Sequence, residues 1–316
     1  MSVAYLTKYC SEASWRKCPP SFQVMTTHLL KALQEKWNCY KYRFVPWVAV
    51  NLRKNERTLR RVKERSQDKL VPDEHVAASL LSLFRDLFKN DIGRQWSLLP
   101  LLPESSRAAY QIPQNKTDPL TRLNRRFDPC KVMHESLGFR IERRPSSLRS
   151  AGTGVFVTMG MVQKGTTVAL YPGTVYQIYE PIFFQSLRNP FIFRCIDGVL
   201  IDGNDKGISK IVYRSCSGRD RLGPFSLSDI TWLTANPDNP LAVGQYVNNC
   251  SNEKAANVCY QEFDVPDKFP LELRQYLPNV NYRHDTYKPL RCVVLVALRD
   301  INLGEELFSN YFTIIH

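Results

Sequence analysis

Apolar positions follow two different rhythms along this chain. In the first hundred residues they recur at helical spacing. Leu29, Leu30, Leu33 and Trp37 predict a helix over 28–45, which Pro46 ends or kinks. A clearer helix opens at Pro72-Asp73-Glu74 with acids in its first turn, and its apolar side is Val76, Leu80, Leu83, Phe84, Leu87 and Phe88. Such a stripe is core packing rather than a ligand box. Residues 53–69, between the two, are strongly basic and have no apolar face of their own. Residues 103–131 are polar and punctuated by Pro103, Pro113, Pro119 and Pro129, so they read as a linker or long loop.

Past Gly138 the texture changes to short strand-like runs broken by glycine. Examples are Gly154-Val-Phe-Val157, Thr166-Thr-Val-Ala-Leu-Tyr171, Phe191-Ile-Phe-Arg-Cys-Ile196 and Arg291-Cys-Val-Val-Leu-Val-Ala297. Turn signals at Pro172-Gly173, Asp197-Gly198, Asp202-Gly203 and Leu303-Gly304 separate them. The expected architecture is therefore α+β. A basic, largely helical region with a linker, 1–130, precedes a β-rich domain, 138–316, with an insertion at about 203–239.

Charge sharpens this division. Residues 1–70 hold 15 Lys/Arg against 5 Asp/Glu, and so carry most of the net charge of +13. Such a segment suits an acidic protein partner or nucleic acid, or is simply a solvated basic face. Nine cysteines without a C-x-x-C pair argue against a disulfide framework and against a compact zinc site, so no metal is expected. A reducing, intracellular compartment fits best, nucleus or cytoplasm. The acid-poor basic N-terminus is also compatible with a mitochondrial transit segment. No window approaches the roughly 18 consecutive apolar residues of a membrane span.

Three segments of the β-rich part carry chemistry in combination. The first is Ala151-Gly-Thr-Gly-Val-Phe-Val157, a G-x-G leading into a strand. The second is Gly244-Gln-Tyr-Val-Asn-Asn-Cys-Ser251, with Asn257-Val258 after it. The third is Ala297-Leu-Arg-Asp-Ile-Asn-Leu-Gly-Glu-Glu-Leu-Phe-Ser-Asn-Tyr311. Singly these read as a tight turn, a turn and a packed terminal strand. In this order and spacing they resemble the SET-domain family of methyltransferases, over about half the chain.

The resemblance implies a SET fold: small sheets with a C-terminal pseudoknot, in which the C-terminus threads beneath a loop. It implies transfer of methyl groups from S-adenosylmethionine to lysine side chains of a protein substrate, histone or non-histone. Gly152, Thr153, Gly154, Asn248, Asn249 and Tyr311 would meet the cofactor, Tyr171 and Ser309 would line the lysine channel, and Tyr311 would be catalytic. Several positions depart from the family pattern. Asn249 replaces a histidine, Gln245 an arginine, and Ser309 an aromatic residue. A cysteine-rich post-SET module is not expected, so the insertion or a partner would have to close the channel. These departures keep a second reading open, a catalytically weak or inactive SET-fold interaction module.

Overall fold

The computed structural model describes residues 59–62, 69–110, 127–149, 151–178, 180–251, 253–284, 289–310 and 312–315. The helix expected over 28–45 lies outside them. Strand β1 (Leu59–Val62) falls within the basic stretch. Helix α1 (Asp73–Asn90) follows, and it buries all six residues of the predicted apolar stripe. Gln261 fixes its entry: the side-chain oxygen accepts from the N–H groups of Leu70 and Val71 at 2.8 and 3.1 Å, and the amide donates to the Val71 carbonyl at 2.8 Å. Phe84 packs against Phe269 and Tyr276, and Phe88 meets the Tyr110 ring edge-on.

The segment 103–131 is less of a loop than its composition implies. Helices α2 (Ile92–Leu98) and α3 (Glu104–Ala108) lead into a buried Tyr110, whose hydroxyl donates to Glu272 at 2.7 Å. At the far end, α4 (Pro129–Leu137) is capped by Asp128, which accepts from the N–H groups of Cys130 and Lys131. Pro103 and Pro129 here begin helices, a position where the missing N–H costs nothing. Residues 111–126 lie outside the described set.

The β-rich part is a series of small sheets. Strands β2 (Phe139–Pro145) and β3 (Thr153–Gly160) form an antiparallel pair. Next come β4 (Thr167–Tyr171), β5 (Gly173–Tyr176), the short helix α5 (Phe183–Ser186), β6 (Ile192–Arg194) and β7 (Leu200–Asp202). The insertion supplies helix α6 (Gly207–Arg219) and the hairpin of β8 (Arg221–Leu222) and β9 (Phe225–Ser226). Strands β10 (Asn248–Asn249), β11 (Val258–Asp264), β12 (Asn279–Asn281), β13 (Arg291–Ala297), β14 (Phe308–Ser309) and β15 (Phe312–Ile315) complete the described chain.

The central sheet runs β11-β13-β4, and its near-continuous Val and Leu residues are buried on both faces. A second sheet runs β12-β5-β7-β6. Helix α1 contributes to the same apolar core as the central sheet. The insertion packs its own smaller cluster, with Tyr213, Cys216 and Trp232 buried against Val280. At the C-terminus β14 pairs in parallel with β10, while β15 pairs in parallel with β1. Residues 306–309 are hydrogen-bonded on one side to 248–250 and on the other to Asn257, the two ends of one loop. The terminal segment therefore crosses that loop, the threaded arrangement implied by the family resemblance and rare in proteins generally.

Candidate active site

Asn257 holds the crossing together. Its side-chain amide donates to the Glu306 carbonyl at 2.8 Å, and its side-chain oxygen accepts the Phe308 N–H at 2.8 Å. Its backbone N–H donates to the Phe308 carbonyl at 2.9 Å. One buried asparagine thus acts as a neighbouring strand, satisfying backbone groups that water cannot reach. On the other side the Cys250 N–H donates to the Ser309 carbonyl at 2.8 Å.

This ladder brings together most of the residues singled out in the sequence. Asn248 stands opposite Phe308, and Asn249 opposite Ser309. The Asn248 amide donates to the Thr153 carbonyl at 3.1 Å and to the Glu306 carboxylate at 3.1 Å, tying the G-x-G turn to the crossing. Ser309 is fully buried, and its hydroxyl has no hydrogen-bond partner. Tyr171 is placed apart from this group, at the end of β4, where its ring meets Phe193 and Tyr260 at centroid separations of 5.5 and 6.1 Å. Its hydroxyl donates to the Phe191 carbonyl at 2.8 Å. Tyr311 lies outside the described residues, between β14 and β15.

The two glycines serve different ends. Gly152 has φ +72°, and a side chain there would meet nothing within 4 Å, so the turn opens onto free space. Gly154 is buried, and the place of its missing Cβ is taken by the Glu306 carboxylate. Any larger residue at 154 must displace that carboxylate.

Sequence reasoning did not assign Glu306 this role. Of the two adjacent acids, Glu305 makes an ion pair, with Arg299 at 2.6 Å. Glu306 instead accepts from the Ser146 hydroxyl at 2.7 Å, and from the Ser147 N–H and hydroxyl at 2.8 and 2.6 Å. Burial pushes the Glu306 carboxyl up. Hydrogen bonds from the two serines and Asn248 outweigh burial and hold it below the usual carboxylate range. The signal in sequence was the pair Ser146-Ser147 just before a glycine without room for a side chain, which becomes readable only once β3 and residue 306 are neighbours.

The cofactor implied by the resemblance would need a backbone it can approach closely, polar groups for its amino-acid end and negative charge near its cation. The open side of Gly152, the exposed Thr153 and the Asn248 side chain beside it fit the first two needs, and the Glu306 carboxylate next to Gly154 fits the third. A second cluster does not invite an ion. Cys195, Asp197 and Glu262 bring possible ligand atoms within 4.8 Å of one another. Arg291 already pairs with both carboxylates, Asp197 at 3.0 Å and Glu262 at 2.5 Å, and so supplies the cation there.

No family model matches the chain. Among solved structures, a polycomb repressive complex 2 from Chaetomium thermophilum superposes with a TM-score of 0.29 at 15% identity, over 54% of this chain and 15% of that one. A likeness that loose carries no argument. Curated relatives are much nearer. The chain is 61% identical over 298 residues to SET domain-containing protein 9 of Homo sapiens, covering 92% of this chain and 100% of that protein. It is 62% identical over 265 residues to the protein of the same name from Pongo abelii, covering 82% and 97%. With identity of that order running almost end to end, and with the C-terminal crossing in place, this chain belongs to the SET-domain family, in the group named SET domain-containing protein 9.

Proposed function

We propose that this chain transfers methyl groups from S-adenosylmethionine to lysine side chains of protein substrates, histone or non-histone. The observation that carries the reading is the bridge from Asn248 to Thr153 and Glu306, which joins three segments far apart in sequence into one site. In this reading the backbone of Gly152 and Thr153 lies against the cofactor, since the turn is open there. Gly154 acts from behind, by admitting Glu306. Asn248 and Asn249 present the polar edge of β10, and Ser309, opposite Asn249, would stand at the wall of the lysine channel. Bound there, S-adenosylmethionine would supply an electrophilic methyl carbon.

The remaining work falls to the protein. A free lysine has a pKa near 10.4, so fewer than about one in a thousand is neutral at pH 7. An apolar channel disfavours the ammonium form, and the aromatic group of Tyr171, Phe193 and Tyr260 provides such a wall. Tyr311 would orient the amine with its hydroxyl while its ring stays apolar. Alignment of this kind contributes up to about 7–11 kcal/mol. The basic residues 1–70 would draw acidic partners or nucleic acid towards the site.

A second reading, an interaction module with weak or no cofactor binding, rests on Asn249 and on the buried, unpartnered Ser309 hydroxyl in place of an aromatic wall. Calorimetry of S-adenosylmethionine on the full chain separates the two, alongside transfer of labelled methyl groups to a cell-extract protein mixture. Binding with transfer to lysine supports the enzyme. Neither binding nor transfer overturns it in favour of the module.

A further inference from the structure

Helix α6 exposes apolar side chains that its fold does not cover. The side chains facing the interior include Ser209, Tyr213, Cys216 and Ser217, whereas Ile208 and Ile211 face outwards. Ile211 is 67% exposed in a helix whose outer face should be polar. The neighbouring α5 repeats the anomaly. It is anchored from below by buried Ile182 and Ser186, yet Phe183 and Phe184 stand 59% and 69% exposed, with their rings edge to face at 5.5 Å.

The two helices form one surface. Asn189, just past α5, donates to Asp202 at 2.8 Å and reaches Ser209 in the first turn of α6 at 3.5 Å, so buried polar bonds hold both elements in place. Ile178, 71% exposed, and Leu187 extend the apolar area on the α5 side. Scattered single apolar residues need no explanation, but six exposed apolar side chains on two neighbouring elements joined through Asn189 mark an interaction surface.

Charge identifies the kind of partner. Arg188, Lys206 and Arg214 are exposed around the patch and have no ion pair among the described residues. The nearby acids are all engaged internally. Glu180 accepts the Gln177 N–H, Asp197 pairs with Arg291, and Asp202 accepts from Asn189. Asp205 accepts the Tyr246 hydroxyl, and Asp220 pairs with Arg219 and His284. The rim is therefore cationic without compensation.

We infer that the α5–α6 face is a docking site for an acidic amphipathic helix of a partner protein, with Phe183, Phe184 and Ile211 meeting its apolar side and Arg188, Lys206 and Arg214 its carboxylates. The face combines α5 with helix α6 of the insertion and uses none of the residues of the methyl-transfer reading, so each stands or falls alone.

Fluorescence anisotropy on the full chain tests it, with a labelled synthetic helix of leucine and glutamate at amphipathic spacing and its leucine–lysine counterpart. The acidic helix should bind, and the basic one should bind about tenfold or more weakly. Phe184→Glu combined with Ile211→Glu should lower affinity by about tenfold or more without changing the melting temperature, because both side chains are exposed. Lys206→Glu with Arg214→Glu should reverse the charge preference and leave folding intact. Equal binding of both helices, or binding indifferent to the four substitutions, overturns the inference. Two other results overturn it as well. Self-association abolished by Phe184→Glu gives the face to a second copy, and binding to phosphatidylserine vesicles lost on the same substitution gives it to a membrane surface.

Discussion

The central sheet and the C-terminal crossing are both buried, yet they are held by different physics. In the sheet, β11, β13 and β4 satisfy one another's backbone through a ladder, and buried Val and Leu side chains supply the stabilisation. At the crossing the paired strands are two residues long, so single side chains do what a ladder would. Asn257 serves the backbone of Glu306 and Phe308, and Glu306 gathers Ser146, Ser147 and Asn248. In the sheet the backbone groups are paired by neighbouring strands, so no single side chain carries that pairing. A crossing built from single residues concentrates its dependence on each.

That comparison can be broken most severely at Leu295, a fully buried residue in the middle strand of the sheet. Leu295→Ala should cost about 2–5 kcal/mol in chemical denaturation, with cofactor affinity recovered under conditions where the protein is folded. The reverse pattern is expected of Tyr311→Phe. Its melting temperature should move little, while methyl transfer falls about 10²-fold, or about 2.7 kcal/mol of barrier. A mutant equally active and less stable would make Tyr311 a packing residue.

Asn257→Ala tests the crossing directly, because it strands a buried carbonyl and a buried N–H. We expect a loss of about 1–3 kcal/mol, with faster hydrogen exchange at residues 306–309 than in β13. Uniform acceleration across both regions would show that the crossing and the sheet open as one unit.

Gly154→Ala sharpens the same point, since the new methyl group displaces the Glu306 carboxylate. Alone it should reduce stability and affinity for S-adenosylmethionine. Combined with Glu306→Ala it should cost less than the sum of the two, by a coupling of about 0.5–3 kcal/mol. Strict additivity would separate Gly154 from Glu306.

The smallest effect concerns pH. Hydrogen bonding holds the folded Glu306 carboxyl below its ordinary value. Its contribution is therefore fully present above the unfolded pKa, about 4.3, and is lost as pH falls through the folded one. Thermal melts of the wild type should decline more steeply below about pH 4.3 than those of Glu306→Gln. Parallel declines would assign the acid sensitivity to other carboxylates.

Much of this molecule was determined by sequence alone. The stripe from Val76 to Phe88 read as a buried helical face and the Val-rich run 291–297 as a strand, and both formed as read. Period and composition specify such elements because each residue's preference is local. The family resemblance implied that Asn248 and Asn249 meet the cofactor and Ser309 the lysine channel, and the fold sets Asn249 opposite Ser309. Tertiary structure alone decided three other matters. Proline-rich composition concealed that Pro103 and Pro129 begin helices, since a helix start and a loop use the same residues. Nothing local announced that Leu59–Val62 would pair with the C-terminal strand, because parallel pairing between distant segments leaves no periodic trace in a four-residue run. And the reason for Gly154 is a carboxylate 152 positions further along the chain, for which it leaves room. Vacant volume is a property of what arrives from elsewhere, and only the folded chain brings Glu306 there.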